Sequence, residues 1–371
     1  MEFSVASPIL LDGLQKVVNV IPTKTSLPIL GNILFNVKGG ELELTATDLE
    51  VSISTRIPVE ESTEGSVALP GKIVFDIVRQ LPDTALTFSA TKENRITLKM
   101  SGGEYALSGE DEKDFPTLPA LDIQHKLNID TSIMSRMIEK TIFAVSTGEI
   151  RSSLMGVYLQ MLKGKILAVS TDGHRLVKIA TDCDAVTDDI GGSIISTKAL
   201  NLFLRNADGQ DSTTLSFAEN YIVFEIGSTT IYSRLLEGVY PDYEKVLPSS
   251  NDKKLICKRQ ELEQGLRRVV IFSNKMTQLV RLSMSKKGCE LQAQDADFGK
   301  QAHETINASF DGDDLDIGYN GAYLLDILRH LDTDDIHFNF TTATSAGLVC
   351  PSEQKEGEEL KMLVMPIKLT E

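Results

Sequence analysis

Three stretches of this chain end an apolar run in an aspartate: LTATDLEVSIST (Leu44 to Thr55), AVSTDGHRLVKIA (Ala168 to Ala180) and LQAQDADFGKQA (Leu291 to Ala302). Asp48, Asp172 and Asp295 lie 124 and 123 residues apart. A second set of marks keeps the same step, because Phe115-Pro116, Tyr240-Pro241 and Met365-Pro366 are separated by 125 residues each time. A period this long lies well outside the roughly 20–50 residues of stacked solenoid repeats, so each copy must bury a core of its own. The chain of 371 residues therefore reads as three repeated domains, at 1–120, 126–248 and 253–371.

Each copy has the same order of elements. A short strand (MEFSVA, KLNID, KLICK) leads into an amphipathic helix whose apolar face runs i, i+4, i+7, i+8: Leu10, Leu14, Val17 and Val18 in the first, Leu262, Leu266, Val269 and Val270 in the third. Ser7-Pro8 and Thr131-Ser132 read as helix caps. Alternating runs follow, such as ILFNVKG and ELELTATDLEVSIST across Gly39-Gly40, which predict a hairpin. Second helices are predicted over 71–81, 197–206 and 321–331, each followed by further strands. The predicted fold class is α+β, with two helices on antiparallel sheet in every domain.

Charge is distributed unevenly over this pattern. The formal net charge is −16, yet the six helical windows carry eleven Lys and Arg against six Asp and Glu, about +5, which leaves about −21 elsewhere. Arg79, Arg205 and Arg329 recur at one helix position, and Lys72 and Lys198 correspond to each other. Lys16, Arg136, Lys140, Arg267 and Arg268 belong to the same class of surface. Taken singly, such residues are ordinary solvated helix formers. If the copies are arranged quasi-symmetrically, they form one basic surface suited to a polyanion without base-specific contacts, duplex DNA above all.

Other chemistry is sparse. The four cysteines (Cys183, Cys257, Cys289, Cys350) are far apart and predict neither zinc nor disulfides, and a reducing cytoplasm is the expected home. No Walker loop or dinucleotide fingerprint is present, so no cofactor is expected, and DGDDLDIG (Asp311 to Gly318) lacks the order of a calcium loop. No apolar run reaches the length of a membrane helix, so no membrane partner is expected. Asp172 and His174 would suit a hydrolase only with a nucleophile elbow, which the chain does not write. Leu49 and Glu50 replace Gly173 and His174 in the first copy, so the scaffold does not require the histidine.

LPILGN (Leu27 to Asn32), TDLE (Thr47 to Glu50), TDGHRL (Thr171 to Leu176), YPDYEKVLP (Tyr240 to Pro248), YNGAYLLDIL (Tyr319 to Leu328) and VMPIKL (Val364 to Leu369), in this order and spacing, resemble the bacterial DNA polymerase sliding clamp family, the beta subunit of the DNA polymerase III holoenzyme. The resemblance covers essentially the whole chain. It implies a non-enzymatic processivity factor, a head-to-tail homodimeric ring around double-stranded DNA. Its partners would be the polymerase alpha subunit, the clamp loader and repair polymerases, which carry short linear peptides. For those peptides it implies a pocket of Leu154, Thr171, Gly173, His174, Arg175, Leu176, Pro241, Val246, Asn320, Tyr323, Val364, Met365 and Pro366.

On the DNA side the resemblance and the charge pattern together point to Lys24, Lys72, Arg79, Arg136, Lys140, Arg151, Lys198, Arg205, Arg267 and Arg329. Ring closure would use Tyr105 and Leu107 against Ile271 and Phe272, with Glu104 facing Lys300. The chain departs from the family pattern in three places. Ser152 and Ser153 replace aromatic residues after Arg151, Lys245 and Lys368 stand where arginine is common, and Thr370-Glu371 extends the end. Two other readings stay open at this stage: a hydrolase or nucleic-acid-modifying enzyme centred on Asp172 and His174, and a monomeric protein-binding scaffold.

Overall fold

The computed structural model describes residues 1–148, 151–248 and 250–369, so the Thr370-Glu371 extension lies outside the described residues. The first repeat runs β1 (Glu2–Ala6), α1 (Ser7–Val17), β2 (Asn32–Lys38), β3 (Glu41–Thr47), β4 (Val51–Pro58), β5 (Glu60–Thr63) and β6 (Gly65–Pro70). It closes with α2 (Gly71–Gln80), β7 (Ala85–Ala90), β8 (Arg95–Met100) and β9 (Gly103–Ser108). The second has β10 (His125–Asp130), α3 (Thr131–Thr141), β11 (Gly156–Leu162), β12 (Lys165–Thr171), β13 (Arg175–Asp182) and β14 (Gly191–Ser196). Then come α4 (Thr197–Asn206), β15 (Ser212–Phe217), β16 (Tyr221–Ile226) and β17 (Thr229–Arg234). The third has β18 (Lys253–Lys258), α5 (Arg259–Val269), β19 (Leu279–Ser285), β20 (Gly288–Asp295), β21 (Lys300–Ile306), β22 (Ala308–Asp311) and β23 (Leu315–Asn320). Its last elements are α6 (Gly321–Arg329), β24 (Asp335–Phe340), β25 (Gly347–Pro351) and β26 (Glu358–Val364).

By contacts the chain separates into two bodies, one of residues 1–135 with 195–235, the other of 136–194 with 236–371. The second repeat is divided because its strands complete the sheets of both neighbours. In the first body β17 pairs antiparallel with β4, Ile231 opposite Ile53, within an eight-stranded sheet ordered β10-β15-β16-β17-β4-β3-β2-β6. In the second, β13 pairs with β26, Arg175 opposite Val364, within a nine-stranded sheet ordered β14-β11-β12-β13-β26-β25-β24-β18-β22. Each body also has a smaller sheet: β5-β1-β7-β8-β9 in the first and β21-β20-β19-β23 in the second.

The apolar helix faces expected from spacing are buried: Leu10, Leu14 and Val17 in α1, Met134 and Ile138 in α3, Ala199, Leu200 and Phe203 in α4, Leu262, Leu266 and Val269 in α5. Val18 and Val270, at the ends of their faces, are only half-buried, and Ile73 on α2 is half exposed. Three local expectations are corrected. Ser7 and Thr131 are first helical residues rather than caps. The Ser7 hydroxyl donates to the Pro82 carbonyl (2.8 Å) and accepts from the Thr84 amide (3.1 Å), while the Asp130 carboxylate takes over capping by accepting the Ser132 amide (2.7 Å). The fifth helix stops at Val269 and a 3-10 turn continues to Phe272.

The third correction concerns the stretches that define the repeat. Each was expected to run as one strand, and each is a strand, a tight turn and another strand. In the first copy the Asp48 carboxylate accepts the amides of Glu50 (3.0 Å) and Val51 (2.7 Å), and the Thr47 hydroxyl accepts that of Leu49 (3.0 Å). The second copy repeats the pattern: Asp172 accepts His174 (2.8 Å) and Arg175 (2.9 Å), and Thr171 accepts Gly173 (3.0 Å). Such a turn needs one residue at positive φ, which glycine supplies freely. Gly173 has φ +89°, whereas Leu49 is held at φ +78°, a conformation that bulky side chains rarely adopt. In the third copy the turn is a 3-10 segment, Ala296–Phe298.

Candidate functional site

The turn Thr171–Arg175 forms one rim of a cleft of about 190 Å³ in the second body. It is lined by Arg151, Leu154, Thr171, Gly173, Arg175, Leu176, Pro241, Asp242, Tyr243, Val246, Leu363 and Met365. Beneath it Leu154, Val169, Leu176, Ile194, Tyr240, Leu348 and Leu363 form one buried cluster. Tyr240 stacks on Tyr158 at 4.9 Å, and a Cβ on Gly192 would stand 2.1 Å from the Tyr158 hydroxyl, so only glycine lets β14 close over that ring. The Met365 amide donates to the His174 carbonyl (2.8 Å) and the Ile367 amide to the Gly318 carbonyl, which stitches the C-terminal segment along the cleft.

Eight of the expected pocket residues line this cleft: Leu154, Thr171, Gly173, Arg175, Leu176, Pro241, Val246 and Met365. Val364 is not among them and is fully buried. Side chains alternate along β26, so with Leu363 and Met365 on the cleft Val364 must point the other way. His174 is exposed beside the cleft, its ring stacked 6.0 Å from Tyr323, so it is no buried structural histidine. Asn320 accepts the amides of Ala322 (2.9 Å) and Tyr323 (3.3 Å) and so caps α6, and Pro366 is half-buried next to Met365. Gly173 is the turn glycine, with open space where a Cβ would lie.

Arg175 is a different kind of residue from the rest. Only 8% exposed, it donates to Asp172 (3.1 Å), Asp326 (2.6 Å) and the Phe143 carbonyl (2.9 Å), and its guanidinium lies over the rings of Tyr323 (4.7 Å) and Phe143 (5.3 Å). All three nitrogens are committed inside the protein, so Arg175 buttresses the turn from below. The first copy solves the same problem from another element: Lys198 of α4 donates to the Asp48 carboxylate and to the Val20 carbonyl (2.9 Å). With Asp172 so engaged, the triad reading loses its acid.

Asp242, Tyr243 and Leu363 are the cleft residues that sequence reasoning missed, and Arg151, expected on the DNA side, also lines the cleft. Tyr243 stood inside the YPDYEKVLP motif, and Leu363 was recoverable from strand alternation. Burial pushes the Tyr243 hydroxyl up to about 12, so it stays protonated and points to Gln160 Oε1 (3.4 Å). Lys178 lies 5.6 Å over the same ring and pairs with Glu244 at 2.5 Å. The cleft thus offers aliphatic walls with one aromatic side and few polar groups at its rim, the composition of a site for an apolar peptide side chain.

The basic residues divide into three groups. Lys24, Lys72, Arg151 and Arg205 are exposed, and among the described residues no acidic side chain pairs with them. Arg79 pairs with Asp76 (3.0 Å), Arg267 with Glu263, and Arg329 with Asp326 (3.4 Å), all remaining about half exposed. Lys198, expected to face DNA, is instead held by the Asp48 carboxylate and the Val20 carbonyl. Arg136 and Lys140, expected there too, are also corrected. Arg136 donates to both Glu358 oxygens (2.6 and 2.7 Å) and to Asp332 (2.7 Å), and Lys140, only 6% exposed, donates to Asp332 (2.6 Å) and the His330 carbonyl (2.7 Å). Burial alone would raise the Asp332 carboxyl, but hydrogen bonds from Lys140 and Arg136 outweigh it and hold it below the usual range. These cations hold α3 against α6 and β26.

Two sheet edges carry the residues expected at ring closure. β9 ends its sheet, with Tyr105 36% exposed and Leu107 half-buried. β21 ends the other, and beside it Ile271 is 70% and Phe272 38% exposed, so neither is core. Glu104 lies 3.3 Å from Lys99, and the Lys300 ammonium sits 5.3 Å over the exposed Phe298 ring. Among the described residues no group of His, Cys, Asp and Glu is placed to hold a metal, and no helix is long and apolar enough to cross a membrane. Burial pushes the Cys257 and Cys289 thiols up to about 12, as for inert core cysteines.

The three family models of the DNA polymerase III beta subunit match in order: its N-terminal domain at residues 1–119, its central domain at 128–242 and its C-terminal domain at 244–368. The beta sliding clamp of Pseudomonas aeruginosa is 31% identical over 371 residues and that of Vibrio cholerae 29% over 373, with all of both chains covered in each case. Among solved structures, the Pseudomonas aeruginosa clamp bound to griselimycin superposes with a TM-score of 0.95 at 31% identity, and the Bartonella birtlesii clamp bound to griselimycin with 0.95 at 28%, both over the whole of each chain. The chain has the three-domain clamp fold and belongs to the DNA polymerase III beta subunit family, the sliding clamps, which are processivity factors of DNA replication and not enzymes.

Proposed function

We propose that two copies of this chain close head to tail into a ring around double-stranded DNA in the cytoplasm, each copy contributing domains at 1–120, 126–248 and 253–371. The ring tethers DNA polymerase III through its alpha subunit, and also the clamp loader and repair polymerases, by short linear peptides seated in the cleft beside Thr171–Arg175. The observation that carries this reading is that cleft: an apolar hollow of about 190 Å³ rimmed by the half-exposed Val246 and Met365, with His174 and Tyr323 stacked next to it. Burying one aliphatic or aromatic peptide side chain there contributes about 1.5–3 kcal/mol.

The open edges β9 and β21, with Tyr105, Leu107, Ile271 and Phe272, support closure by strand pairing between copies. Lys24, Lys72, Arg79, Arg151, Arg205, Arg267 and Arg329 supply diffuse positive charge toward phosphates, which lets the ring slide because no base is read. The test is a titration of a labelled peptide carrying glutamine followed by aliphatic and aromatic residues. Val246→Asp should weaken binding about 10-fold or more while leaving the dimer intact. Unchanged affinity would remove the cleft from the reading.

A further inference from the structure

On the first body, α1 packs against α2 and approaches α4, and the three helices leave a cleft of about 370 Å³. Its lining includes Gln15 and Lys16 of α1, Asn19 of the 3-10 turn that follows it, Phe75 of α2 and Arg205 of α4, with Asp12 paired to Lys16 at 2.8 Å. Phe75 is half-exposed, and the Arg79 guanidinium lies 5.4 Å from its ring centroid, which pins the ring from one side. The corresponding helix positions in the other repeats are Asn201 and Leu325, so this ring belongs to the first repeat alone. The second repeat also lacks aromatics after Arg151, where Ser152 and Ser153 stand.

We propose that this cleft is a binding site for an unpaired nucleotide of single-stranded DNA, its base stacked on Phe75 and its phosphate held by Arg205 and Lys16. Every base has a π-face, so a ring beside a free guanidinium takes single strands without regard to sequence. Arg205 has no acidic partner among the described residues and can give its donors to phosphate. The Gln15 side chain and the Asn19 carbonyl add adaptable hydrogen-bonding groups, the Asn19 amide being engaged by the Gln15 main-chain carbonyl (3.1 Å). A volume of about 370 Å³ falls at the lower end of the range of small-ligand sites, about 300–1,000 Å³, suiting one nucleotide and no duplex. A strand held there would sit on helices whose lysines and arginines are assigned above to duplex DNA. The inference rests on the DNA-encircling reading.

The experiment uses the full chain and a fluorescein-labelled oligodeoxythymidine, followed by anisotropy. Phe75→Ala and Phe75→Leu should each weaken the single strand about 10-fold, the leucine variant keeping apolar volume without the ring, and Arg205→Gln should weaken it about 5-fold and flatten its salt dependence. Thermal melts establish that the variants are folded. A bromodeoxyuridine-substituted strand should cross-link to peptides of α1, α2 or α4. No binding by the parent protein, unchanged affinity in both Phe75 variants, or cross-links confined to residues 151–176 would overturn the site. Loader-dependent retention of Phe75→Leu on circular duplex separates the two readings: retention with unchanged single-strand affinity rejects this cleft alone, while loss of retention by the parent protein rejects the ring.

Discussion

Replacing Arg175 with alanine distinguishes a buttress from a ligand contact. The side chain is 8% exposed and supports three acceptors, of which Asp172 is 14% and Asp326 35% exposed, together with the Phe143 carbonyl. Removing one partner of a buried ion pair costs about 3–5 kcal/mol. The partial exposure of Asp326 lowers that figure through solvent screening, and the orphaned carbonyl adds about 1 kcal/mol. The expected loss is about 3 kcal/mol, which in a body of roughly 200 residues lowers Tm by about 6–12 °C. Arg175→Lys keeps the charge but loses the fork and should fall about midway. His174→Ala, removing an exposed ring, should leave Tm within about 1 °C. Differential scanning calorimetry, paired with peptide anisotropy, reads both effects. If Arg175→Ala melts with the parent protein and loses only peptide affinity, the arginine is a ligand contact and the buttress assignment is wrong.

The strained turn makes an opposite prediction: Leu49→Gly should stabilise by about 0.5–1 kcal/mol in urea unfolding, because it relieves φ +78° at an exposed position, whereas Gly173→Leu should destabilise by more. Asp332, whose carboxyl is held below its usual value, contributes stability that is present above the unfolded value near 3.9 and lost as pH falls through the folded one. Asp332→Asn should therefore cost about 1 kcal/mol at pH 7 and shrink the drop in urea midpoint on acidification; an equal drop in both proteins would reject that coupling. Ile271→Asp should reduce the mass in sedimentation from that of a dimer to that of one chain. Charge reversal of Glu104 or Lys300 alone should weaken the dimer and the double swap restore it, a pattern absent if the two do not meet.

Much of this molecule was legible from spacing alone. The repeat of Asp48, Asp172 and Asp295 located the strand ladders, and the apolar helix faces fell where periodicity put them. The turns were misread as strand because Thr and Asp side chains, by accepting backbone amides, let the chain reverse without the usual proline or paired glycines. Arg136 and Lys140 looked like surface cations because their acidic partners, Glu358 and Asp332, lie some 190–220 residues further on. No local charge count can see them. Leu363, not Val364, lines the cleft, a distinction that period-two alternation along β26 makes readable. Arg175 lines the cleft, but two of its three internal acceptors, Asp326 and the Phe143 carbonyl, come from distant segments, so its supporting role became visible only in three dimensions.

The central claim is topological, and retention on DNA tests it directly. The protein is loaded onto nicked circular duplex with a clamp loader and ATP, separated by gel filtration, and the circle is then cut at one site. A closed ring stays with the circle through the column at moderate salt and is lost once the DNA has ends. Equal retention on circular and linear DNA, or loss from both at the same salt, would contradict encirclement.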